Sequence, residues 1–363
     1  MTAAGIFRTA REDGLAAWNS EADDELLCVG VRDETGDVRT FSFASRTPSR
    51  FLYWPGQFLT FDFPIDGVTV NRCYTIASTP TRPDRVAITV KRKKDGVVSP
   101  WLHANLRPGM RVRAAGPLGD FSFVAHPGEK YLFLSGGSGV TPLMSMARAH
   151  QDVAPEADIL FVHFSRSPAD IIFRHELAMM AHHMPHLRVV HVCEGDSPGE
   201  RWGGPRGRVS EALLSLLVPD LAERVVFDCG PAPFMERVRA GLGALGFEMQ
   251  RYHEESFDFA AMGAATTVSM TEAPAGPEFQ VTFAKSGRTI AVRPGQHVLA
   301  AARAEGMRLP SSCTQGLCGT CKSRLISGQV EMKHQGGIRQ REIDQGMILI
   351  CCSTPLSDLV IER

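Results

Sequence analysis

Ser311-Ser312-Cys313-Thr314-Gln315-Gly316-Leu317-Cys318-Gly319-Thr320-Cys321 crowds three cysteines into one short loop, and a fourth arrives later in Ile350-Cys351-Cys352-Ser353-Thr354-Pro355. The spacing C-x4-C-x2-C…C is that of a [2Fe–2S] ligand set. Thiolates suit a soft, multi-iron cluster. The small residues Gly316, Gly319 and Thr320 let the backbone wrap closely and turn its N–H groups toward sulfur. A structural zinc site more often shows two separate C-x2-C pairs. The metal ligands expected are therefore Cys313, Cys318, Cys321 and Cys351. Cys352 is the competing fourth ligand, and the spacing and the Pro355 context favour Cys351. Such a cluster passes one electron at a time, near about −400 mV. Something else in the chain must load it.

The rest of the sequence has room for that. At 363 residues the chain fits about two or three domains. Hydrophobic residues make up 44% and charged residues 22%, as in ordinary globular proteins. A net charge of −1 leaves no electrostatic footprint for nucleic acid or an anionic membrane, and no apolar run approaches membrane-spanning length. The first residues, Met1 to Asp13, lack a signal-type apolar segment followed by a small-residue cleavage site. Nine cysteines without a secretory signal argue for metal chemistry in a reducing, cytoplasmic compartment.

Local patterning divides the chain. Residues 1–24 read as a polar lead-in. Within 25–127, short β-like runs (Leu26–Val31, Arg39–Phe43, Gln57–Phe61, Val86–Lys91, Arg111–Ala115) alternate with turns such as Pro55-Gly56 and Pro108-Gly109. That spacing predicts an antiparallel β-barrel. Within 128–257, apolar strands at Tyr131–Ser135, Asp158–Phe164, Leu187–Cys193 and Arg224–Cys229 alternate with helical stretches at Pro142–His150, Ile172–His182 and Glu211–Leu217. This alternation predicts an α/β doubly wound parallel sheet. Residues 258–277 are rich in small residues and proline and read as a linker. A last domain, 278–363, opens with strands at Phe279–Ala284 and Thr289–Val292 and a helix at Gln296–Glu305, ahead of the cysteine loop.

Three further motifs suit flat or phosphorylated ligands. Arg72-Cys73-Tyr74-Thr75 offers a cation, a stacking ring and a hydroxyl along one strand. Ser135-Gly136-Gly137-Ser138-Gly139-Val140-Thr141-Pro142 ends a strand and opens a helix. Its glycines admit a phosphate toward helical N–H groups, with Thr141 as N-cap and Pro142 as first helical residue. Asp228-Cys229-Gly230-Pro231 ends another strand on the side where open α/β sheets bind ligands. After the second strand of that domain, Arg166 could grip a 2′-phosphate, whereas Asp170 suits a free ribose diol, so physics leaves NADH and NADPH both open.

Together these motifs resemble the ferredoxin–NADP reductase superfamily. Arg72-Cys73-Tyr74-Thr75 matches its R-x-Y-[ST] flavin signature, Pro55-Gly56-Gln57 its P-G-Q, and Gly116-Pro117-Leu118-Gly119-Asp120-Phe121 its G-P-x-G-x-F barrel end. The resemblance implies that Tyr74 stacks on the isoalloxazine, Thr75 bonds near N5, Arg72 holds phosphate, and Gly96, Val98 and Ser99 cradle it. FAD is the flavin implied, with FMN as the alternative. It further implies that Gly136, Gly137, Gly139, Thr141 and Pro142 form the pyridine-nucleotide loop and that Ser165 and Arg166 meet the adenine ribose. Cys229, Gly230 and Pro231 would lie at the nicotinamide, where Phe257 covers the flavin and Glu255 supplies a nearby hydrogen bond. NADH is the donor implied, with NADPH as the alternative. No residue is assigned as a catalytic acid or base. The C-terminal domain resembles a plant-type ferredoxin, an α+β β-grasp.

The order flavin barrel, nucleotide domain, ferredoxin resembles the phthalate-dioxygenase-reductase-like group and the reductases of hybrid-cluster proteins. Arg166–Arg174 and Arg251–Phe257 are similar to the reductase subunits of glycine betaine demethylases. The partner implied is a Rieske-type oxygenase, with a hybrid-cluster or other redox protein as the alternative. A flavin is suited to the middle of such a chain because it takes up two electrons together and releases them singly.

Overall fold

The structure, a computed structural model, describes residues 14–20, 22–257, 278–307, 309, 311, 316, 321–334, 338 and 340–363. The linker expected at 258–277, most of the lead-in and two expected ligands, Cys313 and Cys318, lie outside the described residues. The chain divides into two compact units, Met1–Asp258 and Phe259–Arg363.

The first unit begins with six strands: β1 (Glu25–Thr35), β2 (Val38–Ser45), β3 (Phe58–Ile65), β4 (Val68–Thr75), β5 (Val86–Lys91) and β6 (Arg111–Leu118). They form an antiparallel sheet in the order β4-β3-β6-β1-β2-β5. Alternate residues turn inward, so Phe41 and Phe43 of β2 meet Phe61 and Phe63 of β3 in one core with Leu26, Leu59 and Ile88. Just past β4, the Ala77 N–H donates to Ala87 O of β5 at 2.7 Å, which draws the two edges of the sheet toward each other. Helix α1 (Val98–Asn105) buries Val98 and Leu102 against this core.

The chain then alternates: β7 (Lys130–Gly136), α2 (Val140–Val153), β8 (Asp158–Ser165), α3 (Arg174–His183), β9 (Leu187–Cys193), α4 (Glu211–Leu217), β10 (Val225–Gly230), α5 (Ala232–Ala244) and β11 (Tyr252–Ser256). All five strands are parallel, in the order β11-β10-β7-β8-β9. Both faces are covered, which explains why the central strands are apolar almost throughout. One core gathers Phe133, Phe161 and Phe227 under α2 and α3; the other gathers Leu132, Leu160 and Val226 under α4 and α5. From β7 the chain winds outward to β8 and β9, then returns to β10 on the other side of β7. The switch point therefore lies between the C-terminal ends of β7 and β10, where such sheets bind ligands.

Helix α2 locks this sheet to the antiparallel one. The Ser145 hydroxyl donates to Ser78 O at 2.7 Å. Arg148 donates both to Ala77 O and, at 2.7 and 2.8 Å, to the two carboxylate oxygens of Glu176 on α3. Ala77 and Ser78 directly follow β4, so the segment carrying Tyr74 and Thr75 is tied to the helix that leaves the glycine loop.

The second unit contains β12 (Phe279–Phe283), β13 (Arg288–Val292), α6 (Val298–Ala304), β14 (Lys322–Ser327), β15 (Val330–Met332), α7 (Gln340–Asp344), β16 (Met347–Leu349), β17 (Ser353–Pro355) and β18 (Leu359–Glu362). A mixed sheet runs β13-β12-β18-β14-β16, with β12 and β18 parallel and the other pairs antiparallel. Val298, Leu299, Ala301 and Ala302 of α6 are buried in its core, and β15 pairs separately with β17.

Candidate functional site

Tyr74 and Thr75 close β4, opposite Leu59 and Phe58 of β3. Phe61 and Phe63 back the Tyr74 ring edge-on, at centroid distances of 6.2 and 6.3 Å. Burial raises its phenol above the ordinary tyrosine range, with the neighbouring Arg72 charge acting in the opposite direction. The Arg72 position lies across from Phe61. At the start of α1, Ser99 Oγ accepts from the Lys93 N–H at 3.0 Å and the Gly96 N–H donates to Lys93 O at 3.0 Å, closing a tight loop. A Cβ on Gly96 would stand 3.2 Å from Ser99 Oγ and 3.3 Å from Lys93, so the cradle has the size of glycine. The P-G-Q and G-P-x-G-x-F segments also touch: Gln57 Nε2 donates to Gly119 O at 2.9 Å, and a Cβ on Gly56 would fall 2.0 Å from Phe121 O.

The glycine loop and the Cys229 motif pack backbone to backbone. A Cβ on Gly139 would fall 2.1 Å from Cys229 O, and one on Gly230 would lie 3.2 Å from Gly136 N. Gly137 adopts a left-handed φ of 53°, and Gly137–Gly139 form a 3₁₀ turn. The expected N-cap moves as a result. Helix α2 starts at Val140 with Gly139 as N-cap, and Pro142 is its third residue. The Thr141 hydroxyl donates back to Ser138 O at 3.1 Å instead of capping. The glycine turn already supplies the reversal that a threonine cap would have made.

Glu255 joins the flavin motif to the nucleotide motif. It lies beside Cys229 in the β10–β11 register, and Thr75 Oγ1 stands 3.5 Å from Glu255 Oε2. Burial pushes the Glu255 carboxyl up to about 8; the charge of Asp120 adds to this, and the Thr75 hydroxyl opposes it. The Cys229 thiol is fully buried and held well above its usual range by burial, with Glu255 and Asp228 adding to it, so it stays a neutral thiol. Phe257 packs partly buried against the core beneath α2. Sequence reading gave Asp120 no role, because its proximity to Glu255 depends on the contact between the two sheets.

At the end of β8, Arg166 and Asp170 do not act separately. The Arg166 guanidinium donates to Asp170 at 2.6 Å and to Asp37, from the turn between β1 and β2, at 3.4 Å. Ser167 Oγ also donates to Asp170, at 2.7 Å. Ser165 is buried at the strand end and faces His163, a residue the motifs do not single out.

In the second unit, Cys321 and Cys351 are 1% and 4% exposed in an otherwise apolar core. Buried thiols are the donor type that a [2Fe–2S] cluster takes. Cys352 is also buried, but its thiol is directed to Leu349 O at 3.6 Å and sits against Gly316, where a Cβ would come within 2.7 Å of Cys352 Sγ. Gly316 has a φ of 75°, so glycine is required there on two counts.

Three sequence families match this chain: an oxidoreductase FAD-binding domain over residues 29–123, an oxidoreductase NAD-binding domain over 133–240, and a 2Fe-2S iron-sulfur cluster binding domain over 281–356. Among curated proteins, the glycine betaine monooxygenase reductase subunit of Chromohalobacter salexigens is 45% identical over 347 residues, covering 93% of this chain and 94% of that one. The stachydrine N-demethylase reductase subunit of Rhizobium meliloti is 42% identical over 349 residues, covering 96% and 98%. Among solved structures, phthalate dioxygenase reductase aligns with a TM-score of 0.59 at 23% identity, over 95% of this chain and all of that one, and so shares its fold. No helix among the described residues is long and apolar enough to cross a membrane.

Proposed function

The chain belongs to the flavin- and [2Fe–2S]-dependent reductases that serve oxygenase systems, and on that premise we propose that it takes electrons from NADH in the cytoplasm and delivers them singly to a Rieske-type oxygenase that demethylates glycine betaine or a related N-methylated amine. The observation that carries this reading is the identity of 45% and 42%, over nearly the full chain, to reductase subunits named for N-methylated substrates. When bound, FAD converts a two-electron donor into single-electron steps.

The chain's own residues supply position. Arg72 and the Gly96–Ser99 loop hold the flavin phosphates, and Tyr74 stacks on the ring system. Thr75, Glu255 and Cys229 mark where nicotinamide meets flavin. The Gly136–Gly139 loop takes the pyrophosphate at the switch point. Phe257 shields the flavin ring from water. Cys313, Cys318, Cys321 and Cys351 hold the cluster. With Arg166 already paired to Asp170 and Asp37, a 2′-phosphate would meet two carboxylates, which favours NADH.

The test is reconstitution with a glycine betaine Rieske oxygenase component. NADH-dependent release of formaldehyde from glycine betaine is expected. Rapid NADH-driven reduction of cytochrome c with no support of any N-demethylating oxygenase would move the partner outside this substrate class.

A further inference from the structure

A polar row crosses the parallel sheet at its C-terminal edge. Glu255 pairs with Cys229, Cys229 with Ser135, Ser135 with His163, and His163 with His191. Strand pleating places all five on one face. Sheets covered on both sides are usually lined by apolar side chains, so this row calls for an explanation.

His163 is its most constrained member. Its side chain is wholly buried, with Nδ1 2.7 Å from Ser135 Oγ and Nε2 3.1 Å from Ser165 Oγ. Burial lowers its pKa to about 3; the nearby His191 and Lys91 also lower it, and Ser135 opposes them. The ring is therefore neutral, with one donor and one acceptor nitrogen, and a hydroxyl can satisfy either. His150 provides the contrast. It is also buried, but neither ring nitrogen has a hydrogen-bond partner among the described residues, and its ring centroid lies 4.0 Å from that of Phe123. His150 fills space. His163 bridges.

The two hydroxyls it bridges lead into different loops. Ser135 immediately precedes Gly136–Gly139, and Ser165 immediately precedes Arg166–Asp170. We propose that His163 is a positioning residue for the dinucleotide: by tying Ser135 to Ser165 it fixes the spacing between the glycine loop and the Arg166 loop, so that one NADH molecule engages both. This rests on the reading above that the two loops hold NADH. A fully satisfied buried network rigidifies what it connects, and a half-satisfied one is costly.

The test uses the full-length, flavin-loaded protein. His163→Leu keeps bulk and removes both nitrogens, leaving two buried hydroxyls without partners. KM for NADH, and the calorimetric Kd for NAD, should each rise about tenfold. Flavin content and kcat at saturating NADH should stay within about twofold. His163→Gln, which keeps a donor and an acceptor, should recover part of the affinity. Unchanged Kd and KM in a folded, flavin-loaded His163→Leu protein would overturn the proposal. So would a parallel loss of flavin, kcat and affinity, or a His163→Gln variant as weak as His163→Leu. If the wild-type protein neither bound NAD nor oxidised NADH, the underlying reading of the loops would fall instead.

Discussion

Asp228 is a buried carboxyl beside the switch point. Its Oδ1 has no hydrogen-bond partner among the described residues. The Tyr252 hydroxyl lies 2.8 Å from Asp228 Oδ2 and 2.7 Å from Glu254 Oε2. One phenolic proton serves only one carboxylate, so the other group must carry its own. Burial assigns it to Asp228, whose pKa is raised to about 8; the Tyr252 hydrogen bond opposes this and the Glu254 charge adds to it. An acid raised from an ordinary 3.8 stabilises the folded state most at low pH, and that contribution is lost as pH rises toward 8. Asp228→Asn removes the loss. Its melting temperature relative to wild type should therefore gain on the order of 8 °C between pH 5 and pH 8. Thermal melts at the two pH values check this, and a difference that shrinks toward pH 8 would contradict it. At the cluster, Cys351→Ser should abolish or strongly shift the visible iron–sulfur absorbance. Cys352→Ser should leave it largely intact, because that thiol is directed to Leu349 O. The reverse result would exchange the two assignments.

Elements meet most tightly where the glycine loop crosses β10. A Cβ on Gly139 would overlap Cys229 O, so Gly139→Ala must shift either the loop or the strand end. KM for NADH should rise about tenfold or more, with flavin content unchanged. Steady-state kinetics and the flavin-to-protein absorbance ratio read both. Between β8 and the β1–β2 turn, Asp170→Ser should free Arg166 from its shorter carboxylate contact, leaving only Asp37 at 3.4 Å, and raise the NADPH-to-NADH ratio of kcat/KM by about tenfold; a ratio that fell or stayed constant would count against the carboxylate screen. Much of this geometry is legible in the sequence. Tyr131–Ser135 and Leu187–Cys193 announce themselves as apolar runs between turns, and the motifs mark which strand ends matter. Other elements are silent. Helix α5 opens on Ala232-Pro233-Phe234 and carries Gly241 and Gly243, which read as breakers. In the structure Gly241 is where Leu214 of α4 packs close, at 2.9 Å from where a Cβ would stand. β4 holds Asn71 and Arg72 on an edge, and β15 to β17 are three residues each, so both depend on partners distant in sequence. The row through His163 is invisible for the same reason: strand register cannot be read from one strand.

For the whole molecule, two compact units divide the electron chemistry. The first contains the FAD- and NAD-binding domains and the second the 2Fe-2S domain. The proposed electron route is linear, from NADH through the first unit to the second and on to a one-electron partner. A cluster-ligand variant separates its halves, because the residues proposed to position NADH against flavin all lie before Asp258. The direct measurement is anaerobic mixing of Cys351→Ser with NADH, following flavin absorbance, paired with cytochrome c reduction by the same preparation. Flavin should bleach at a rate within about twofold of wild type, with cytochrome c reduction nearly abolished. A folded, flavin-loaded variant that no longer bleaches, or one that still reduces cytochrome c at the wild-type rate, would contradict the linear route.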